Sequence, residues 1–142
     1  MGFLLDTNLI SEFIKPLPEA AVMDWLNAQP ESGLFLSVLT MGEVLEGIEV
    51  LPAGRRRWQL DTWYRTELAV RFAHRTLDVD LAVCEQWSRC TAMRARRGRP
   101  LPIVDGLLAA TALHHGLGLV TRNERDFEGL GLTVVNPWSQ PI

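Results

Sequence analysis

The sequence predicts an α/β fold with a central, mostly parallel β-sheet and helices on both faces. Short apolar runs of strand length alternate along the chain with segments of helical periodicity, a pattern typical of strands joined by crossover helices. The run Leu34–Val38 contains a single polar residue, as expected of a strand covered on both faces. A chain of 142 residues is long enough for one hydrophobic core, so we expect a single domain over residues 1–142.

The first predicted strand precedes two predicted helices. Phe3–Leu5 is a short apolar run that reads as a buried strand. Thr7 or Asn8 can cap the following helix, which we place at residues 9–14, before two prolines end it. Apolar residues spaced on one face then predict a second helix over residues 19–28.

The second predicted strand, Leu34–Val38, leads into a long helical segment. Thr40 is placed to cap this helix, and Glu43 follows three residues later, which is the spacing of a capping box. The helix is expected to end near residues 51–54, which include a proline and a glycine. Residues 55–72 again show helical periodicity with large apolar side chains.

The remaining segments complete the alternation of strands and helices. Thr76–Leu77 is predicted as a brief strand, and Asp80 as the cap of a helix over residues 81–97. Residues 103–115 are apolar almost all round, which indicates a buried helix. Two more apolar runs predict the last strands, at residues 117–121 and 132–135.

Four acidic residues lie where a predicted strand ends or a predicted helix begins: Asp6, Glu43, Asp105 and Asp126. In an open α/β sheet the carboxyl ends of the strands line one edge, and ligands bind in the crevice there. Two unit charges about 4 Å apart repel by about 4 kcal/mol at an effective dielectric constant of about 20. A cation is therefore expected to hold such carboxylates together, and hard oxygen ligands suit Mg²⁺ or Mn²⁺. This pattern favours metal-assisted phosphoryl chemistry.

Each of these acids also has a purely structural interpretation. An aspartate directly after a strand, such as Asp6, is often only a helix cap. The alternative for Glu43 is completion of a capping box with Thr40. Asp105, in the first turn of an apolar helix, also complements the helix dipole, and Asp126 has arginines nearby in the sequence.

The composition is that of an ordinary globular chain, with 47% hydrophobic and 22% charged residues. The net charge of −3 provides no general attraction for nucleic acid, so such a partner requires a local basic patch. Cys84 and Cys90 lie on different faces of a predicted helix, so we expect no disulfide between them. With no targeting segment and no uncharged run long enough to span a bilayer, we expect a cytoplasmic protein without membrane contact.

Six segments together carry a resemblance to a known family. In chain order they are Leu4–Glu12, Ser37–Glu43, Gly47–Arg56, Asp105–Ala112, Val120–Phe127 and Val135–Trp138. With these segments the chain resembles the PIN-domain nucleases and, within them, the VapC-type toxins of bacterial toxin–antitoxin pairs. The resemblance extends over essentially the whole chain and implies a PIN-like fold and a metal-dependent endoribonuclease activity.

The resemblance implies roles for individual acids. Asp6, Glu43 and Asp105 match the metal-binding acids of the family, which hold one or two Mg²⁺ ions, with Mn²⁺ as a substitute. Some relatives carry the fourth acid at the position of Asn123, and others three residues later, at Asp126. We assign Asp126 as the fourth catalytic and metal-binding acid, and Asn123 as a polar group that lines the site.

Further polar groups and partners follow from the same resemblance. Thr7 and Thr121 are expected to hydrogen-bond a metal-bound water or the carboxylates. Glu12 belongs to the matching opening segment, and we expect it to be peripheral. The family implies an RNA substrate, a homodimer and a small cognate antitoxin protein.

Two arginine clusters are the candidate RNA-binding groups, because the arginine fork matches phosphate geometry. Single-stranded or looped RNA suits such a site better than a duplex, since bases must be splayed out to be read. The alternative is a solvated helix face or an antitoxin contact. The clusters comprise Arg55, Arg56 and Arg57, and Arg94, Arg96, Arg97 and Arg99.

Two rival functions compete with the nuclease. The first is a catalytically silent PIN-like module that only binds RNA or acts as a scaffold. The second is another metal-dependent phosphoryl protein, either a small phosphatase or a phospho-accepting receiver domain. A receiver domain needs a lysine near its last strand, but the chain's one lysine is Lys15, and an aspartyl phosphatase usually carries a second acid where this chain has Asn8.

Overall fold

A five-stranded, fully parallel sheet forms the centre of the protein, as seen in a computed structural model that describes residues 1–139. The strands are β1 Phe3–Leu5, β2 Leu34–Ser37, β3 Thr76–Leu77, β4 Gly118–Val120 and β5 Val134–Val135. Their order in the sheet is β3-β2-β1-β4-β5, so the first strand is central and later strands are added on either side of it. The α/β prediction is confirmed.

α-Helices connect every pair of consecutive strands except the last, β4 and β5, which a short 3-10 helix connects. The predicted helix over residues 55–72 consists of two α-helices, Arg55–Trp63 and Ala69–Arg71, joined by a π-helical turn at Tyr64–Leu68. Short 3-10 helices lie at Glu31–Gly33 and Glu124–Phe127. The α-helices are α1 Thr7–Phe13, α2 Ala20–Asn27, α3 Val38–Glu49, α4 Arg55–Trp63, α5 Ala69–Arg71, α6 Leu81–Arg96 and α7 Ile103–His114.

The core has two layers because successive strand residues point to opposite faces of the sheet. Leu5 and Val120 pack on one face with side chains of α1, α2 and the π-helical turn. Leu4 and Leu119 pack on the other face with side chains of α6 and α7. All four are fully buried. The two layers hold β1 and β4 rigidly side by side, with Leu5 opposite Val120.

Two predicted helix caps are wrong. Helix α1 is capped by Asp6, whose carboxylate accepts a hydrogen bond from the Thr7 amide at 2.7 Å. Helix α3 begins directly after β2 and is capped by Ser37, which accepts from the Leu39 amide at 3.0 Å. Thr40 lies buried inside α3, so Glu43 does not complete a capping box with it. No residue separates the end of β2 from the start of α3. The cap of α3 is therefore three positions earlier than predicted.

Glu12, which we expect to be peripheral to the site, is a buried side chain of α1. Its side chain is only 1% exposed, and its carboxylate accepts hydrogen bonds from Lys15 and, at 2.8 Å, from the Glu19 amide. Burial acts to raise the pKa of Glu12, but these hydrogen bonds and the charge of Lys15 leave the pKa below its ordinary value. Glu12 therefore stabilises the turn between α1 and α2 from within the protein.

Two smaller predictions concern cysteines and membranes. Cys84 and Cys90 are both free thiols on α6, which confirms that they form no disulfide with each other. Within residues 1–139, no helix has both the length and the apolar character that a bilayer-spanning segment requires.

Candidate active site

The ends of β1 and β4 place Asp6 and Thr121 next to each other. The two strands pair in parallel register, and the Asp6 amide donates to the carbonyl of Val120 at 2.9 Å. The Thr121 hydroxyl then donates to Asp6 Oδ2 at 2.7 Å. Since the Thr7 amide occupies Oδ1, each oxygen of this carboxylate is fixed by one hydrogen bond. Each oxygen also retains a lone pair that can accept a further ligand.

Glu43 reaches the same edge of the sheet from α3. The strand β2 is adjacent to β1, and α3 starts where β2 ends. The Thr7 hydroxyl donates to Glu43 Oε1 at 2.6 Å. Thr7 thus contacts Asp6 through its backbone and Glu43 through its side chain, which orients the two acids relative to each other. The expectation that Thr7 and Thr121 hydrogen-bond the carboxylates is realised in this geometry.

Asn8 is part of this network, although sequence reasoning gave it no role in the site. Its amide nitrogen donates to Thr121 Oγ1 at 3.4 Å, and its carbonyl oxygen accepts from the Arg122 amide at 3.4 Å. Thr121 Oγ1 also accepts from the Asn123 amide at 3.1 Å. With these donors on Thr121, its own proton is directed to Asp6. The indication of this role in the sequence was that Asn8 directly follows Thr7 at the start of α1.

A cavity of about 330 Å³ opens at this edge, and five of the seven residues predicted for the acidic site line it. Asp105, in the first turn of α7, brings the third acid to its wall. Asp126 lies on the 3-10 helix nearby and is exposed, but it does not line this cavity. The lining residues are Asp6, Thr7, Asn8, Ser11, Glu43, Val104, Asp105, Leu108 and Asn123.

Two carboxyl groups of the cavity, those of Asp6 and Asp105, have pKa values above their ordinary range. Burial is the largest cause of the raised pKa of Asp6; the hydrogen bonds from Thr121 and Thr7 oppose it, and the charge of Asp126 adds to it. Burial also raises the pKa of Asp105, followed by the negative charges of Asp126, Asp6 and Glu43. All four predicted acids are therefore close enough to interact. Their mutual repulsion is the condition that a bound cation would relieve.

The donor set suits a hydrated divalent cation rather than a fully protein-bound ion. Carboxylate and amide oxygens are the ligands that Mg²⁺ and Mn²⁺ prefer. Within residues 1–139, no three acidic, histidine or cysteine side chains converge closely enough to form a ready-made metal site. Mg²⁺ usually keeps several waters and binds through one or two carboxylates, so Asp6 and its neighbours fit this mode. The assignment of individual ligands stays a prediction.

The structure separates the predicted RNA-binding arginines into different groups. Arg57 forms an ion pair with Glu49 at 2.9 Å, and Arg99 lies 3.7 Å from Glu128. Arg94 is a correction: it is 5% exposed and binds backbone carbonyls, so it is not available to an RNA phosphate. The exposed members are Arg55, Arg56, Arg96, Arg97 and Arg99.

An apolar groove of about 300 Å³ adjoins the acid cavity. The two share Thr7, Ser11 and Glu43 in their walls, and Arg56 stands at the groove. A molecule that filled the groove would therefore contact the edge of the acidic site. The apolar side chains of the groove are Ile10, Ile14, Val44, Ile48, Leu51, Leu60 and Trp63.

Comparison with known sequences identifies the family to which this arrangement belongs. The family model described as the PIN domain matches residues 3–131, which include all four acids. The chain belongs to the PIN-domain family. This membership confirms the resemblance inferred from the sequence and the PIN-like fold.

Two relatives match this PIN domain over almost their whole length. The VapC ribonuclease Y4jK of Sinorhizobium fredii is 37% identical over 135 residues, covering 95% of this chain and 96% of the relative. The tRNA(fMet)-specific endonuclease VapC of Shigella flexneri is 31% identical over 139 residues, covering 98% and 99%. The chain is thus similar to VapC-type proteins along its full fold.

Solved structures agree with the sequence comparison. The crystal structure of FitAcB from Neisseria gonorrhoeae matches this PIN domain with a TM-score of 0.92 at 31% identity, covering 97% of this chain and 99% of that one. A toxin–antitoxin complex from Klebsiella pneumoniae matches with a TM-score of 0.71 at 26% identity, covering 98% and 100%.

Proposed function

We propose that the protein is a metal-dependent endoribonuclease and the toxin component of a toxin–antitoxin pair. The observation that carries this proposal is the cavity at the carboxyl ends of β1, β2 and β4, which Asp6, Glu43, Asp105 and Asn123 line together. A PIN domain with relatives named as a ribonuclease and an endonuclease supports hydrolysis of RNA phosphodiester bonds there.

The acids are proposed to hold Mg²⁺, or Mn²⁺ in its place. When bound, such a cation supplies an acidified water and stabilises negative charge on the phosphate oxygens. Asp6 is oriented for this role by Thr7 and Thr121, and Glu43 by Thr7. Because these hydrogen bonds fix the carboxylates before any ligand arrives, binding requires little reorganisation of the site.

Hydrolysis is proposed to break the bond between phosphorus and the 3′ oxygen. Water supplies the hydroxyl group that joins the phosphorus, and its proton ends on the 3′ oxygen that leaves. The products are a 5′-phosphate and a 3′-hydroxyl. No side-chain nucleophile is needed, because the cavity is lined by carboxylates and amides and no serine–histidine or cysteine–histidine pair adjoins it within the described residues.

RNA is proposed to approach the acids along the exposed arginines. Arg56 lies in the groove wall that also contains Glu43. Arg99 lies beside Glu128, two residues after Asp126. These arginines would hold backbone phosphates near the scissile bond, because their forked donors suit phosphate.

The cognate antitoxin is proposed to occupy the apolar groove between α1, α3 and α4. The groove is lined by aliphatic and aromatic side chains and shares Thr7, Ser11 and Glu43 with the acid cavity, so an occupant would also restrict access to Glu43. One of the similar structures is a toxin–antitoxin complex, which supports a partner of this kind. A homodimer is proposed from the family resemblance, and sedimentation of the purified protein tests it.

A cleavage assay on a mixed RNA pool tests the nuclease directly. Purified protein is incubated with Mg²⁺ or Mn²⁺ and then with excess EDTA, beside the variants Asp6→Asn and Asp24→Asn. Asp24 is an exposed acid on α2 that does not line the cavity, so its variant controls for loss of one negative charge. We expect metal-dependent cutting in the wild type and in Asp24→Asn only.

Two other outcomes would contradict this proposal. Cutting that survives both EDTA and Asp6→Asn indicates a contaminating ribonuclease. Binding of RNA without cutting, together with no heat of Mg²⁺ binding in calorimetry, indicates the catalytically silent module instead.

A further inference from the structure

Arg94 has an unusual environment for an arginine. It lies in the last turn of α6 and is 5% exposed. Within residues 1–139 it forms no ion pair with a side-chain carboxylate. A buried guanidinium costs free energy unless its donors are satisfied, so its hydrogen-bond partners indicate what the residue is retained for.

Those partners are backbone carbonyls from two different loops. Arg94 Nε donates to the carbonyl of Arg99 at 3.0 Å. Arg94 Nη1 donates to the carbonyl of Asp126 at 3.2 Å and to that of Glu128 at 3.3 Å. The guanidinium therefore joins the turn before α7 to the segment that carries Asp126.

The segment around Asp126 has little structure of its own. It is a four-residue 3-10 helix, Glu124–Phe127, and such helices are short and weakly hydrogen-bonded. Most of its side chains are exposed, and Phe127 is the buried one. Arg94 holds a carbonyl inside this helix and another directly after it, so the position of Asp126 depends on the guanidinium.

The other loop leads to the second acid. The Arg99 amide donates back to the Arg94 carbonyl at 3.0 Å, which closes the turn between α6 and α7. Asp105 lies six positions after Arg99, in the first turn of α7. One side chain thus connects the supports of Asp105 and Asp126, and its positive charge acts on Asp105.

We propose that Arg94 is a positioning residue of the nuclease site: it fixes the segment 124–128 against the start of α7 and thereby sets Asp126 relative to Asp105. This inference rests on the proposed nuclease function for its catalytic consequence, but not for the structural step. Arg94 acts through Asp126 and does not contact RNA.

The structural step is tested without RNA or metal. The variant Arg94→Met keeps the unbranched apolar part of the side chain and removes the guanidinium donors, whereas Arg94→Lys keeps the charge but has no fork to reach both loops. Arg89→Met is the matched control, since Arg89 is an exposed arginine of the same helix that donates to Gln86. Backbone ¹⁵N relaxation then reports the order of each amide in the folded protein.

In Arg94→Met we expect the order parameter of residues 124–128 to fall from about 0.85 to below about 0.6. In Arg94→Lys we expect a smaller fall in the same residues. The amides outside residues 124–128 and the turn 97–101, and all amides of Arg89→Met, stay at wild-type values. Unchanged order in 124–128 in both Arg94 variants overturns the proposal whether or not the protein is a nuclease. If Arg94→Met does not fold, Arg94→Lys decides.

The catalytic step is tested by a double-mutant cycle with Asp126→Ala. Displacement of a catalytic group by about 1 Å can cost on the order of 100-fold in rate, so we expect kcat for Arg94→Met to fall by 10-fold or more, roughly. In the Asp126→Ala background the same substitution should cost less than about twofold, because coupled residues are not additive. Equal losses in both backgrounds overturn the role through Asp126. A wild type that does not cut RNA contradicts the nuclease instead, and leaves the relaxation result standing.

Discussion

The hydroxyl of Thr121 donates a 2.7 Å hydrogen bond to the carboxylate of Asp6, which lies 115 positions earlier in the chain. Thr121 is fully buried, and its oxygen already accepts hydrogen bonds from Asn8 and Asn123. Its proton is therefore committed to Asp6, and the bond exists only because β1 and β4 are adjacent in the sheet. The topology of the sheet thus orients the most buried acid of the cavity.

The variant Thr121→Val keeps the shape of the side chain and removes this hydrogen bond. A hydrogen bond to a charged group contributes about 1.5–3 kcal/mol, so we expect kcat for RNA cleavage to fall by about 10- to 100-fold. The pKa of Asp6 should rise further, because one of the two hydrogen bonds that lower it is lost. Steady-state cleavage at saturating Mn²⁺, measured across pH, checks both effects.

Thr111→Val is the control for this prediction. Thr111 is also a fully buried threonine, but its hydroxyl donates to the Leu107 carbonyl within α7. We expect Thr111→Val to change stability and not kcat. If kcat in Thr121→Val stays within about twofold of wild type, the hydrogen bond to Asp6 does not support catalysis.

Gly106 allows α7 to approach α6 closely enough to place Asp105. A Cβ at Gly106 would lie 2.9 Å from two ring atoms of Trp87, and such overpacking costs about 1–3 kcal/mol. We expect Gly106→Ala to lower the free energy of unfolding by this amount and to reduce cleavage, because the first turn of α7 must move. Urea denaturation measures the first effect, and kcat the second.

A second glycine in a helix provides the contrast. Gly42 lies within α3 with nothing near a Cβ, so Gly42→Ala should raise the free energy of unfolding by about 0.5–1 kcal/mol. The double variant Gly106→Ala, Trp87→Leu should recover part of the lost stability. Equal stability of Gly106→Ala and wild type would contradict the close packing.

Arg56 is expected to contribute to RNA binding through a phosphate. Affinity is measured in the Asp6→Asn background, where RNA is not cut, at several salt concentrations. Each phosphate contact to a single strand adds about 0.7 to the slope of log affinity against log salt, so Arg56→Gln should reduce the slope by about this amount. Arg65→Gln is the control, since Arg65 already pairs with Asp61 at 3.1 Å. An unchanged slope in Arg56→Gln removes this residue from the RNA site.

The strands and long helices were predictable because their signals are local. Apolar runs such as Phe3–Leu5 and Leu34–Ser37 read directly as buried strands, and the nearly all-apolar α7 reads as a buried helix. The acids were recognisable as a set because parallel strands end at one edge of the sheet. These features depend on residue type and periodicity, which a single sequence contains.

Other features were not predictable because they depend on contacts between distant segments. Arg94 is one of several arginines in a short stretch, and residue type does not distinguish the buried one from its exposed neighbours. Glu12 is buried because Lys15 and the Glu19 amide satisfy its carboxylate, which requires the turn after α1 to fold back. Asn8 reaches Thr121 only because β1 and β4 are paired.

We expect Asp105→Asn to raise the stability of the metal-free protein and to lower its cleavage of RNA. Burial and three neighbouring negative charges raise the pKa of Asp105, and the positive charge of Arg94 opposes them only in part. A folded-state pKa above the unfolded value means that ionisation destabilises the fold, and that this cost grows as pH rises above about 4. In the absence of metal, the variant should therefore be more stable than wild type at pH 7, with the difference shrinking toward pH 4.

Addition of Mg²⁺ should make the wild type more stable than Asp105→Asn, because a cation that binds the wild-type acids stabilises the folded state. Cleavage should fall by at least about 100-fold in Asp105→Asn, while the exposed-acid control Asp24→Asn should match wild type in stability and rate. Urea denaturation measures the free energy of unfolding of each protein under four conditions, at pH 4 and pH 7, with and without Mg²⁺. A wild type that is more stable than Asp105→Asn at pH 7 without metal would show that the carboxylate is not held under repulsion, and the electrostatic argument for a cation at this site would fail.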